Sequence, residues 1–195
     1  MIQPYLLLDH IAESFGTDQF TQPMTRQSPD EQRALGITEA LDWPTPGVSS
    51  WATLSASEFA TPYHTQDGTP VRVEFVAAVD ARWEFMGDAL AACAFAISES
   101  HDVRPGTVYR DAVGSRIPQA TTPHLLSVSP FMWRDFPPLV AENLHVTWMQ
   151  LVPITDAEAK YCSDHGFAAL EDLFDQAQPD VFSIERQSVV GASAD

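Results

Sequence analysis

Basic residues are scarce in this sequence. Lysine occurs only at Lys160, and Lys and Arg together number 10 against 27 Asp and Glu, for a formal net charge of −17 and a pI near 4.4. Such a charge repels the phosphate backbone of nucleic acids and the anionic surface of membranes. It would attract a basic protein partner and speed their encounter, although solubility alone is the simpler explanation of acidity. We therefore expect no nucleic-acid ligand, no membrane contact and a protein as partner.

Long apolar runs and paired cysteines are lacking as well. No stretch reaches 18 apolar residues, which predicts that no helix crosses a membrane. The first residues, Met1-Ile2-Gln3-Pro4, carry neither a basic segment nor a cleavage site, so we expect a cytoplasmic protein. The two cysteines, Cys93 and Cys162, lie far apart on predicted helices. We expect both to be buried free thiols.

Catalytic and cofactor-binding motifs are also missing. The sequence has no G-x-S-x-G elbow, no phosphate-binding glycine loop and no dinucleotide fingerprint. Its six histidines form neither H-x-H nor H-E-x-x-H, and neither cysteine belongs to C-x-x-C, so local spacing supports no zinc site. We predict no enzyme, no cofactor and no metal. The enzymatic alternative is a hydrolase whose site is assembled in space from an acid and a histidine such as His124 or His145.

What the sequence does contain is enough apolar surface for one core. With 195 residues and 45% hydrophobic content, it is expected to form one domain. Residues 17–30 and 114–123 are predicted loops. Hydrophobic spacing predicts helices over residues 2–15 and 83–98, and strands over residues 47–54, 71–79, 107–109, 124–130, 144–152 and 181–186. In the clearest strand, the alternation predicts that Val71, Val73, Phe75, Ala77 and Val79 face the core.

These elements mix without strict alternation. The predicted fold is therefore α+β, a mixed α/β sandwich in which helices flank a central, mostly antiparallel β-sheet. Residues 1–39 are expected to form an N-terminal helix and loop that pack on the main domain. Residues 40–190 are expected to form that domain, and residues 191–195 a frayed tail.

The most regular segment follows the last long strand. Pro153 should end that strand, and Thr155 and Glu158 should form a capping box at the start of a helix. Gly166 should end this helix, because glycine tolerates the backbone of a C-terminal cap. A second helix should present Phe167, Leu170, Leu173 or Phe174, and Ala177 on one face.

The tryptophans suggest where a partner could bind. Trp51 and Trp148 lie on predicted strands and are expected in the core. Trp43 and Trp133 lie beside proline-rich segments and are expected to be partly exposed, the second on an irregular surface lip over residues 131–138. Because large rigid side chains anchor interfaces, we predict that Trp43, Trp133 and the neighbouring Asp135 contact the partner.

Four sequence blocks together resemble the suppressor of fused domain family. They occur in the expected order and span about residues 40–190: GVSSWATLS (47–55), VRVEF (71–75), HLL (124–126) and VPITDAE (152–158). The resemblance implies a suppressor-of-fused-like domain that binds proteins and is not an enzyme. Animal members of this family grip Gli-type transcription factors between two domains, and the second of these is missing from this sequence.

Bacterial single-domain members of the family are immunity proteins, or antitoxins. The resemblance therefore implies a bacterial immunity protein that neutralises a basic toxin, such as a nuclease, by direct binding. A scaffolding or regulatory binding module with no toxin partner is the other non-enzymatic alternative.

Overall fold

The computed structural model describes residues 3–100, 103–133, 135–141 and 143–191. The helices among these residues are α1 Pro4–Phe15, α2 Met86–Ser100, α3 Asp156–His165 and α4 Phe167–Ala177, together with the short 3-10 helix Ala56–Glu58. The strands are β1 Met24–Gln27, β2 Ala34–Ala40, β3 Val48–Thr53, β4 Val71–Asp80, β5 Val108–Tyr109, β6 His124–Val128, β7 Leu139–Ala141 and β8 Leu144–Ile154.

All eight of these strands belong to one mixed sheet. Their order is β1-β2-β3-β4-β8-β6-β5, and β7 pairs with the beginning of β8. Neighbouring strands run antiparallel except for β4 and β8, which are parallel. The predicted α+β fold with a mostly antiparallel sheet is confirmed.

Helices cover both faces of this sheet. Phe75 of β4 and Leu151 of β8 belong to the cluster that includes α2. Val76, the next residue of β4, points the other way and joins the cluster under α1. Val152 of β8 packs with α3 and α4 on that second face. Because the sheet lies between two helical layers, β4 is buried on both faces, whereas its alternation predicted a single core face.

The N-terminal region contributes two strands to this sheet. A loop was predicted over residues 17–30, yet β1 lies inside that range and pairs with β2. Prolines 23 and 29 flank β1 without interrupting it. β2 in turn pairs with β3, so residues 24–40 continue the sheet. The division of the domain at residue 40 stays a prediction, and residues 192–195 of the predicted tail lie outside the described residues.

Two other strand predictions were wrong. β8 continues through Pro153 to Ile154, because Pro153 lies beyond Gln150, the last residue of β8 that pairs with β4. A proline is tolerated where one side of the strand needs no amide donor. Residues 181–186 form a turn and a bend instead of a strand. Their carbonyl groups accept hydrogen bonds from loop residues, such as that of Ile184 from the Thr121 amide at 3.0 Å.

Several local predictions are confirmed. α1 ends at Phe15, as the predicted range 2–15 requires, and the following Gly16 has a φ of 77°, the left-handed conformation that favours glycine. Trp51 and Trp148 are core residues, 2% and 1% exposed. Both cysteines are free and buried. None of the helices in the described ranges is long and apolar enough to cross a membrane.

Candidate partner-binding surfaces

The predicted capping box is present and is part of a larger buried network. The Thr155 hydroxyl accepts from the Glu158 amide at 3.1 Å, and the Glu158 carboxylate accepts from the Thr155 amide at 2.8 Å. The same carboxylate binds the Arg186 guanidinium through two nitrogens, at 2.7 and 2.8 Å, and accepts from the Val189 amide at 2.9 Å. Glu158 is fully buried. The network therefore fixes the C-terminal segment against α3.

Arg186 also supports the neighbouring helix. Its guanidinium donates to the Pro153 carbonyl at 2.8 Å, which ties it to the end of β8. The guanidinium carbon lies 5.0 Å from the centre of the Phe174 ring of α4, a cation–π distance. The arginine thus connects β8, α3 and α4. Sequence reasoning missed this role, because the partners are 12 to 33 positions away along the chain.

His124 does lie next to an acid, as the hydrolase alternative requires. Its Nε2 is 3.0 Å from the Asp156 carboxylate at the start of α3, and its Nδ1 accepts from the Asp111 amide at 2.9 Å. The second bond makes Nδ1 the acceptor, so Nε2 carries the proton and donates it to Asp156. Both nitrogens are engaged in holding β6 to its neighbours. The arrangement is structural and leaves no nitrogen free to accept a proton from a substrate.

His145 lies in an open depression of about 560 Å³ that Asp67 and Val140 also line. The Asp67 carboxylate is already used there, because it accepts from the Thr65 hydroxyl and from the Thr69 amide. These bonds close a turn. Across the described ranges, no group of three or more His, Cys, Asp or Glu residues is placed to hold a metal ion.

The three residues predicted to bind a partner have different surroundings. Trp133 is 6% exposed, so the expectation that it is partly exposed was wrong. Its ring stacks on that of Phe15 from α1, with centroids 4.5 Å apart, because the helix covers the lip on which the tryptophan lies. Trp43 is half-buried against the same cluster, and Asp135 is exposed. A partner-binding role for the three stays a prediction, and Trp133 could only support such a surface from beneath.

A more open apolar surface lies on the same face of the sheet, between α4 and residues 129–131. It is a groove of about 570 Å³. The segment 129–131 is held in place by the buried Gln150, whose side-chain oxygen accepts from the Phe131 amide at 3.0 Å. The groove is lined by apolar residues of the sheet, of the segment 129–131 and of α4: Leu126, Val128, Val152, Pro130, Phe131, Phe167, Leu170 and Phe174.

The rim of this groove is acidic. Glu171, Asp172 and Asp175 of α4 line it together with the apolar residues, and the described residues of its lining include no Lys, Arg or His. Burial, and then the charges of Asp175 and Asp172, raise the pKa of Glu171. The three carboxylates therefore repel one another beside an apolar surface, a situation that a cation would relieve.

The sequence carried part of the signal for this groove. The residues of the predicted apolar stripe do lie on α4. Of these, only Leu170 is fully buried, and Phe167 and Phe174 are half-buried. The acids at positions 171, 172 and 175 lie within one helical turn of that stripe. Whether such a stripe is covered depends on what packs against it, which the spacing alone does not determine.

Comparison with known proteins places this architecture among relatives. Residues 31–187 match the suppressor of fused protein family. Immunity protein YqcF of Bacillus subtilis (strain 168) is 32% identical over 163 residues, which cover 83% of this chain and 84% of that protein.

Solved structures share the fold. A suppressor of fused homologue from Neisseria gonorrhoeae FA 1090 superposes with a TM-score of 0.75 at 19% identity, covering 97% of this chain and 98% of that one. Drosophila Suppressor of Fused gives a TM-score of 0.63 at 12% identity over 94% of this chain, which spans about half (50%) of the Drosophila chain. A chain from a Sufu–Fu complex also gives 0.63, at 11% identity, and covers 95% of this chain and 91% of that one.

Proposed function

Because this chain belongs to the suppressor of fused family, we propose that it is a bacterial immunity protein that neutralises a toxin by binding it directly, without catalysis. The observation that carries the proposal is the 32% identity to a protein named as an immunity protein, over 83% of this chain. The match also covers 84% of that protein, so the resemblance extends over most of both chains and is not confined to one segment.

The charge of the chain supports a basic toxin as the partner. With a net charge of −17, this protein attracts a basic surface at long range and accelerates the encounter. Nucleases have basic surfaces because they bind a polyanion, and a nuclease is therefore the class of toxin that fits best. An acidic protein that covers such a surface would block access of the nucleic acid.

A role without catalysis agrees with the chemistry of the described residues. His124 has both nitrogens occupied by structural hydrogen bonds. Burial raises the pKa of both the Cys93 and the Cys162 thiols, which disfavours the reactive thiolate. Protein binding is also the activity that the Sufu–Fu complex represents among the structural relatives.

Co-expression tests this proposal. Where a gene beside this one encodes a protein with a toxin-like C-terminal domain, that domain is induced in a bacterial host, with and without this chain. We expect growth to stop with the toxin domain alone and to be restored by the chain. An unrelated acidic protein of similar size and charge is the control and should not restore growth.

Binding is measured on the purified proteins, with a toxin domain inactivated by substitution. We expect one stable complex in size-exclusion chromatography and an affinity that falls as salt rises. If the neighbouring domain is toxic, and this chain neither binds it nor restores growth, the proposal is wrong.

A further inference from the structure

We propose that the partner docks in the groove between α4 and residues 129–131, and that it inserts a segment in which an apolar side chain is flanked by lysine or arginine. This inference rests on the proposed function and specifies the surface and the chemistry of the contact.

The apolar part of the groove matches the anatomy of a binding hot spot. Its floor consists of Leu126 and Val128 of β6 and Val152 of β8, and its wall contains the half-buried ring of Phe174. Phe131 at its edge is 57% exposed, which is costly for a large aromatic side chain in water. Interfaces are centred on apolar pockets of this kind, which receive one or two anchor side chains. A volume of about 570 Å³ has room for such anchors.

The charge of the rim selects the flanking residues of the partner. Glu171, Asp172 and Asp175 lie along the groove, and none of the residues described in its lining is basic. A lysine or arginine on either side of the inserted side chain would sit within reach of these carboxylates. It would relieve the repulsion among the three carboxylates, which after burial is the second reason for the raised pKa of Glu171. A segment without cations would bury apolar surface but leave that repulsion in place.

Both walls are held in position before a partner arrives. The Gln150 side chain fixes the Phe131 backbone, and Arg186 lies beneath Phe174. Arg186 is in turn held by the buried Glu158 carboxylate. A surface ordered in advance loses less conformational entropy on binding than a mobile one. The groove is thus preorganised for a partner.

Two variants test the groove by independent means. Ala168→Trp fills it sterically, because Ala168 is exposed and lines it. Its matched control is Gln176→Trp, an exposed position of the same helix that is absent from the lining. The second variant, Glu171→Gln with Asp172→Asn and Asp175→Asn, removes the rim charge. Its control changes the net charge equally at exposed positions that do not line the groove: Glu58→Gln with Glu84→Gln and Glu99→Gln.

The readout is growth rescue in the co-expression test, together with the dissociation constant for the inactivated form of the same toxin domain, measured by calorimetry. We expect Ala168→Trp to weaken binding by about tenfold or more, and Gln176→Trp to leave it unchanged. The rim variant should weaken binding by about tenfold, and the charge control by about twofold at most, since distant charges act only through screened steering. Circular dichroism and thermal unfolding verify that all four variants are folded.

The outcomes separate this inference from the proposed function. If the wild-type chain binds and neutralises the toxin domain, and Ala168→Trp and the rim variant do so equally well, the groove is not the docking site although the function holds. If the wild-type chain does neither, the proposed function fails and this inference fails with it. A solution mass of two chains that Ala168→Trp reduces to one would mean that a second copy occupies the groove, which also overturns the inference.

Discussion

Two helices in this protein begin next to a fully buried glutamate, but the two carboxylates come from different places. At the start of α3, Glu158 belongs to the helix itself and caps it from three residues after Thr155. At the start of the 3-10 helix Ala56–Glu58, the carboxylate of Glu74 comes from β4, and it accepts from the Ala56 amide at 3.0 Å and the Ser57 amide at 2.9 Å. One cap is local in sequence and the other is made by tertiary structure.

The two carboxylates also differ in how their charge is stabilised. Glu158 is paired with the buried Arg186, whereas the donors to Glu74 are all neutral: the Ala56 and Ser57 amides and the hydroxyls of Thr53 and Ser57. Burial raises the pKa of Glu74, because desolvation outweighs these donors. Breaking a buried ion pair leaves a charge unpaired in the protein interior, but removing one neutral donor from a carboxylate costs only a hydrogen bond. The comparison therefore predicts losses of different size.

The largest expected effect comes from Arg186→Met. This substitution leaves Glu158 buried without its cation, and we expect the free energy of unfolding to fall by about 3 to 5 kcal/mol. Urea denaturation measures the loss. Because Arg186 also lies beneath Phe174, the variant should bind the partner more weakly even under conditions where it is folded.

The double variant Glu158→Gln with Arg186→Met shows where that loss originates. Glutamine can still serve in a capping box and carries no charge, so the double variant should be more stable than Arg186→Met alone. If the double variant is as unstable as the single one, the loss reflects the missing contacts of the arginine and not a stranded carboxylate.

A smaller loss is expected for Thr53→Val. The Thr53 hydroxyl donates to Glu74 and accepts from the Phe75 amide at 2.8 Å, so valine removes one donor from the buried carboxylate and the side-chain acceptor of a buried amide. We expect the free energy of unfolding to fall by about 1 to 3 kcal/mol in urea denaturation. Thr122→Val is the matched control, because the Thr122 hydroxyl is buried with no partner among the described residues. Equal losses for both threonines would contradict the assigned role of Thr53.

The last effect is a change with pH. The raised pKa means that Glu74 contributes its full stability below the unfolded-state value of 4.5 and loses it as pH rises through the folded-state pKa. Glutamine does not titrate. The loss of stability caused by Glu74→Gln should therefore shrink from about pH 5 to about pH 8 in urea denaturation. For Thr122→Val the difference from wild type should stay constant, and a constant difference for Glu74→Gln too would contradict the raised pKa.

The fold was predictable wherever local signals decided it. The C-terminal end of α1 follows from Gly16, and the start of α3 follows from the Thr155–Glu158 box, because capping depends on residues within one turn. β1 was not predictable, since a short polar strand exists only because β2 lies beside it. The strand predicted over residues 181–186 does not form, because none of the described strands pairs with it. The Ile184 carbonyl instead accepts hydrogen bonds from the amides of loop residues 121 and 122.

The candidate surfaces show the same limit. Trp133 and Phe131 are near neighbours in one irregular, aromatic segment, and their sequence context does not distinguish them. α1 covers the first and leaves the second exposed at the edge of the groove. Which aromatic side chain is available to a partner depends on how a helix more than 100 positions away packs.

By itself, the sequence determined the acidity, the family, the capped start of α3 and the apolar stripe of α4, because these depend on composition and on spacing within a few turns. Only the tertiary structure decided that Glu74, a residue of β4, caps the 3-10 helix, and that Arg186 neutralises Glu158. It also decided that the apolar stripe of α4 is left partly uncovered beside an acidic rim. These features join residues distant in the chain, and their free energies depend on burial, which the fold alone creates.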